Sequence, residues 1–284
     1  MGRVAIVTDS ASDMDPARAA ALGITVVPLA VSFGDETFKA NVDLSAEAFW
    51  ARMTAPEAPF PKTATSSPGD FVTAYRAAFD AGADAIVSVH VAATLSGTMG
   101  AAKIARDQLP DREIHLVDST SASMAEGLLC ELGLQLAAQG VSAAEIARIL
   151  TDRTPDLDVF VALDTLEYLK RGGRISGAQA AIGTLLSVKP IITIKDNKVE
   201  ATERVRTKSK ARERVIELLT EKPVDRLAIL YAPPGEPESF REEFIARMPG
   251  GIDPATVTIQ IIGPSVGPHL GPGCIGGVVL YRRA

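Results

Sequence analysis

The richest chemistry in the chain lies in SVHVAATLSGTMGAA, where an apolar strand-like run leads through Thr94-Leu95-Ser96-Gly97-Thr98 into a helical one. Loops at the C-terminal ends of parallel strands are where α/β sheets bind ligands. A helix N-terminus offers free N–H groups and a partial positive charge, so it suits an anion. Ser96 adds a hydroxyl donor, and Gly97 lets the backbone approach closely. The plainer use of the same residues is that Ser96 or Thr98 only caps the helix. A second hydroxyl-rich loop, KTATSSPGDF, precedes a helix whose start is marked by Pro68 and Asp70. Its Ser and Thr side chains can equally satisfy loop backbone. In GPHLGPG, His269 stands among glycines and prolines, a rigid setting from which to present an imidazole. In KRGGR, Gly172-Gly173 between cations suits a tight turn that offers guanidinium groups to a phosphate or an acidic partner. ERVRTKSKARER reads as a solvated helix face. Asp9 in VTDSASD and Asp118 in VDSTSAS end two similar strands, as ligand groups or as turn caps.

These loops need elements to position them, and the spacing supplies them. In the first half, strand-like runs at Val4 to Val7, Ile24 to Phe33, DAIVSVHV and EIHLVD alternate with helical ones. The helical runs are Asp15 to Leu22 ending at Gly23, DFVTAYRAAFDAG, TMGAAKIARDQL and Ala122 to Gly140. Between Phe33 and Asp70 the chain reads as a loop-rich insertion, dense in Pro, Ser and Thr at PEAPFPKTATSSPGD. Strands separated by helices of this length predict a parallel sheet covered on both faces. After a short helix near Ala143 to Leu150, DRTPDLD marks a boundary. The expected division is an α/β unit over 1–155 and an α+β unit over 156–284. In the second unit KPIITIKDNKVEATERV has the pattern of a hairpin turning at Asp196-Asn197, residues that tolerate positive φ. LDVFVALD, RLAILYA, VTIQIIG and GGVVLYRR read as strands, with helices at TLEYLK, KSKARERVIELLTE and PESFREEFIARM.

Composition narrows the function. A net charge of −6 lacks the basic footprint of a general nucleic-acid binder, and 5% aromatic content is poor for stacking on bases. Two cysteines and three histidines make neither a disulfide framework nor a conventional metal site, so a reducing cytoplasm is the expected location. The start, MGRVAIVTDS, turns polar before a signal-peptide core could form. Pro254 to Tyr281 carries no Lys, Arg, Asp or Glu, but its prolines and glycines would break a spanning helix, so no stable membrane insertion is expected.

In order along the chain, TDSASD, the KT…SPGDF loop, LSGT, VDSTSAS, LDTLEYLKRGGRIS, SVKPIITIKDNKV, VRT and HLGPG resemble the DegV family of bacterial fatty-acid-binding proteins. The resemblance runs from about Thr8 to Gly273. It implies two α/β-type domains, an N-terminal parallel-sheet one and a C-terminal α+β one, with a long-chain fatty acid held between them. It implies no catalytic activity and no cofactor besides the bound lipid. The acid's carboxylate would be bound by Thr63, Ser96 and His269, with Gly97 and Thr98 at the helix end. The family offers that carboxylate to a separate ATP-dependent fatty-acid kinase, which makes an acyl phosphate. Arg174 and Arg206 match positions implicated in contact with the kinase or its phosphate. The chain departs from the family pattern at Ala64-Thr65-Ser66, at Ala92-Ala93 and at Met99, changes that leave the headgroup trio intact and bear on acyl-chain preference. The competing class is a serine hydrolase of acyl esters with Ser96 as nucleophile and His269 as base. LSGT is not a G-x-S-x-G elbow, and Asp9 or Asp118 would have to orient the imidazole. A nucleotide or sugar-phosphate binder would use the same helix end but needs a polar pocket.

Overall fold

The computed structural model describes residues 2–175, 188–248 and 250–283. Ser176 and Ser187, which end one of the motifs above and begin another, lie outside them. The chain runs β1 (Val4–Asp9), α1 (Pro16–Leu22), β2 (Thr25–Val27), β3 (Ala30–Phe33), β4 (Glu36–Lys39), α2 (Ala46–Met53), β5 (Lys62–Ala64), α3 (Pro68–Asp80), β6 (Ala85–His90), α4 (Thr98–Asp107), β7 (Glu113–Asp118), α5 (Met124–Ala138) and α6 (Ala143–Arg153). It continues through β8 (Leu157–Ala162), α7 (Glu167–Arg171), β9 (Lys189–Lys195), β10 (Lys198–Val205), α8 (Lys208–Leu219), β11 (Val224–Tyr231), α9 (Pro237–Ala246), β12 (Thr258–Ile261), α10 (Gly267–Leu270) and β13 (Ile275–Tyr281).

Among the described residues β2-β1-β6-β7 form an all-parallel sheet, as the alternation of strands and helices predicts. β1 pairs with β2 on one side and β6 on the other, so the direction of winding reverses between β1 and β6. The crevice beyond the strand ends at such a switch point is where open α/β sheets take ligands. A six-stranded mixed sheet, β10-β9-β8-β13-β11-β12, makes the second half, with β11 and β12 parallel and the other pairs antiparallel. The hairpin forms where expected: Asp196 and Asn197 take φ of 48° and 60°, the left-handed pair that closes a two-residue turn.

The loop-rich reading of the stretch between Phe33 and Asp70 is corrected. β4 and β5 lie there and join β3, which falls in the expected strand-like run Ile24 to Phe33, in a three-stranded antiparallel sheet, and α2 adds Phe49 and Trp50 to the core. The strands are three or four residues long, and β4 and β5 are mostly exposed, so their sequences lack the apolar alternation that marks a strand.

Period-two alternation divides the mixed sheet between two cores. Val159, Val161, Ile192, Leu230 and Leu280 face the core shared with the first half, whereas Ala162, Ile191, Ile229 and Val279 face α8 and α9. α5 touches β1 and β6 of one sheet and β8, β11 and β13 of the other. A helix between two sheets must be largely apolar all round, and MAEGLLCELGLQLAA is, apart from Glu126, Glu131 and Gln135.

Candidate functional site

An apolar cavity lies between the C-terminal edge of the parallel sheet and the first-half-facing side of the mixed sheet. Leu29, Val91 and Leu95 form one wall; Val159, Val161 and Ile192 form the other. Thr63, Ser96, Arg174 and His269 border the same cavity, each from a different loop or short element. Leu95, Ser96, Arg174 and Val199 also line an outer cleft with Thr94, Gly97 and Lys198. Ser96 and Arg174 therefore stand where the apolar cavity meets a polar, solvent-facing recess.

Ser96 stands at the end of a chain of hydroxyls. Its Oγ accepts the Thr98 N–H at 3.3 Å and lies 2.8 Å from Thr98 Oγ1, which is 3.0 Å from Thr65 Oγ1. Either hydroxyl of the Ser96–Thr98 pair can donate; with Thr98 as the donor, the Ser96 hydrogen is left for the cavity. The helix cap of α4 is Gly97, which has no side-chain cap bond, so capping by Ser96 amounts to the one long bond to Thr98 N. In the other hydroxyl-rich loop local bonding prevails. Ser67 and Asp70 form a reciprocal capping box at α3 with Pro68 in the first turn, and Ser66 donates to Pro28 O.

Thr63 sits on β5 opposite Val31 and reaches His269 Nε2 at 3.1 Å. Burial, with the Arg174 guanidinium adding to it, pushes the His269 pKa down to about 4, so the imidazole is neutral at pH 7. With its proton on Nε2 it donates to Thr63, and the Thr63 hydrogen is free for a ligand. His269 Nδ1 is buried without a partner. It rests against Gly172, where a Cβ would stand 2.2 Å from Nδ1. Gly271, at φ 77°, lies against the Tyr168 ring, which a Cβ would meet at 2.2 Å. The glycines of KRGGR and HLGPG thus let α7 and α10 close on each other and set the imidazole, a role that their turn chemistry alone does not reveal.

Arg174 lies with the cavity residues: its Nη1 donates to Gly172 O at 2.8 Å and its Nε to Leu95 O at 3.3 Å. Arg206 is exposed just after β10 and borders neither recess. The two arginines, paired in the sequence reading, therefore occupy different surroundings.

Asp9 and Asp118 act as structural caps. Asp9 accepts from Ala11 N and lies 3.0 Å from His90 Nδ1, fully buried. Asp118 accepts from Thr120 N and Ala93 N. Neither bonds His269, and no hydrogen bond joins His269 to Ser96 among the described residues. The nucleophile, base and acid that the hydrolase reading needs are not linked. A Ser–His–Asp sequence of contacts does occur at Ser88, His90 and Asp9, with Ser88 Oγ 2.8 Å from His90 Nε2, but all three side chains are buried away from the cavity.

Comparison with known proteins agrees with this architecture. The family model described as "Uncharacterised protein, DegV family" matches residues 3–282. A DegV domain-containing protein of Streptomyces coelicolor is 35% identical over 98% of this chain and 99% of its own length. One of Deinococcus radiodurans is 34% identical over 96% of both. Among solved structures, a Thermus thermophilus DegV family protein described by its fatty acid binding is 33% identical, with TM-score 0.87 over 99% of this chain and 100% of that one. DegV of Bacillus subtilis, described as a fatty acid binding protein, is 28% identical, with TM-score 0.85 over 99% and 100%. A fatty acid (stearic acid)-binding protein of Eubacterium ventriosum is 27% identical, with TM-score 0.86 over 99% and 98%. Among the described residues no helix is long and apolar enough to cross a membrane.

Proposed function

The chain belongs to the DegV family, and on that premise we propose that it binds one long-chain fatty acid in the apolar cavity and presents the carboxylate to a separate ATP-dependent kinase. The observation that carries the reading is the cavity itself: an almost wholly apolar wall with its hydroxyl, imidazole and guanidinium groups gathered where it meets the outer cleft. Burying a chain of sixteen or so carbons at about 0.8 kcal/mol per methylene supplies on the order of 10 kcal/mol of gross driving force. Part of that is lost to ordering the chain. The carboxylate is costly to bury unless several donors receive it. Here Ser96 and Thr63 would donate hydroxyls, His269 would orient Thr63, and the backbone N–H groups at Gly97 and Thr98 would add the helix end. The Arg174 guanidinium would supply the opposite charge.

A carboxylate at that mouth is the part of the ligand closest to the polar cleft, the orientation a phosphorylating partner requires. Arg174 would serve headgroup and partner together, and Arg206 would touch the partner alone. The protein itself would carry out no chemistry. Lipid extraction and mass spectrometry of the purified protein test the reading. About one free fatty acid per chain, non-covalently held, is expected, together with acyl-phosphate formation when a fatty-acid kinase and ATP are added. A ligand-free preparation that takes up no fatty acid would overturn it.

A further inference from the structure

Outside the Thr63, Ser96 and His269 group, the cavity is bordered by another hydroxyl whose hydrogen has nowhere to go. Ser265 is 5% exposed and lines the cavity. Its Oγ lies 2.8 Å from Ser10 Oγ, which also accepts the Leu29 N–H at 2.8 Å. Two hydroxyls bring two hydrogens, one of which lies in the bond between them. Among the described residues no acceptor takes the other. Ser10 is buried and does not border the cavity, whereas Ser265 does. The arrangement that strands no hydrogen in the core has Ser10 donating to Ser265 and Ser265 turning its O–H into the cavity.

Two further features make this a built position. Ser123 also borders the cavity, and its hydroxyl donates to Asp13 Oδ2 at 2.6 Å, which leaves Ser123 Oγ as an acceptor. Asp13 Oδ1 in turn accepts the Gly263 N–H at 2.8 Å, tying Ser123 to the segment that carries Ser265. That segment is a turn that leads into α10, with Gly267 N donating to Gly263 O and Gly271 N to Gly267 O. Ser265 stands in that turn, shortly before His269 in the chain, and both border the cavity.

We propose that Ser265 and Ser123 form a second polar subsite, which takes an oxygen substituent on the first few carbons of the acyl chain, so that the cavity accepts 3-hydroxy fatty acids beside unsubstituted ones. This rests on the fatty-acid reading given above. A hydroxyl brought against a purely apolar wall loses its partners in water and gains none, a penalty that selects against it. Against Ser265 and Ser123 it finds both a donor and an acceptor, and that penalty is offset.

Equilibrium binding of hexadecanoic, 3-hydroxyhexadecanoic and 12-hydroxyhexadecanoic acids to the full chain tests this. Wild type should bind the 3-hydroxy acid within about threefold of the unsubstituted acid and the 12-hydroxy acid about tenfold or more weaker. Ser265→Ala should weaken the 3-hydroxy acid about tenfold relative to the unsubstituted one. The wild-type comparison stands even if the variant fails to fold. Wild type rejecting the 3-hydroxy acid as strongly as the 12-hydroxy acid would overturn the subsite, as would Ser265→Ala changing both affinities equally. If none of the acids bound, the fatty-acid reading itself would fall, a different result from binding without discrimination.

Discussion

Ser96→Ala, measured with a fatty acid and with its methyl ester, distinguishes a headgroup donor from a helix cap. In the lipid-free protein the hydroxyl's visible work is slight: it accepts Thr98 N–H at 3.3 Å and shares a bond with Thr98 Oγ1 at 2.8 Å. Its loss should cost about 0.5–1 kcal/mol of stability. Thr98 Oγ1 keeps Thr65 as a neighbour at 3.0 Å, so it is not stranded. A hydrogen bond to a charged group is worth about 1.5–3 kcal/mol, so affinity for the acid should fall roughly ten- to a hundredfold. The ester keeps the chain and loses the charge. It should bind wild type more weakly than the acid does and respond little to the substitution. Binding isotherms for both ligands on both proteins, with thermal melts alongside, separate the two roles. Equal losses for acid and ester, tracking a drop in melting temperature, would refute the assignment of Ser96 to the carboxylate.

The other expectations concern packing, charge and pH. Gly172→Ala adds a Cβ 2.2 Å from His269 Nδ1 at a residue whose own φ of −75° is unstrained, so acid affinity should fall as far as in His269→Ala; unchanged affinity would show that the imidazole has room to move. Arg174→Gln should weaken the acid about tenfold or more and spare the ester, whereas Arg206→Ala should leave lipid binding intact and slow only phosphorylation by the kinase; lipid binding that is intact in both variants would remove Arg174 from the headgroup. Burial raises the Asp13 pKa to about 7, against the hydrogen bonds from Ser123 and Gly263, and lifts Glu126 well above the usual range. At Asp13 the folded chain thus holds a proton that the unfolded chain releases between about pH 4 and 7, so this contribution to stability is full at low pH and is lost as pH rises through that window, on the order of a few kcal/mol. Urea unfolding at pH 5 and pH 8 should show the loss in wild type and less of it in Asp13→Asn; equal losses in both would mean that Asp13 is ionised throughout.

What was legible in the sequence was local. Asp15 before α1 and Pro16 at its first position, with Gly23 after it at φ 71°, and Asp196-Asn197 in the hairpin act locally. The crevice was legible too, because strands that alternate with helices must place their C-terminal loops together. β4 and β5 of the small sheet were not, since strands this short and exposed are held by their neighbours and not by their own pattern. The meeting of Thr63 and His269 across 206 residues has no local signal either; the family resemblance named both residues, and only the folded chain sets their distance. The Gly172-Gly173 turn of KRGGR offers a guanidinium to a phosphate or an acidic partner, but its sequence does not say which way Arg174 turns. Two backbone carbonyls, of Leu95 and Gly172, decide that direction.

Under the proposed function, the division of labour between sheets and loops matches what each part of a fatty acid demands. An alkyl chain makes no directional contacts, so strand faces with Val, Ile and Leu at alternate positions serve it, and they are rigid because they are also the protein's core. A carboxylate needs donors from several directions at once, which no single strand face offers. Loops at the parallel sheet's switch point, a short strand and two helix ends converge there, each held by contacts of its own: Thr98 behind Ser96, His269 behind Thr63, Gly172 behind His269, Leu95 O beside Arg174. Donors oriented before the ligand arrives cost little to organise when it does. The same convergence leaves Ser96 and Arg174 bordering the outer cleft. Under the proposed function, a site that neutralises the carboxylate at the cavity's edge, and not in its depth, would let a partner reach it.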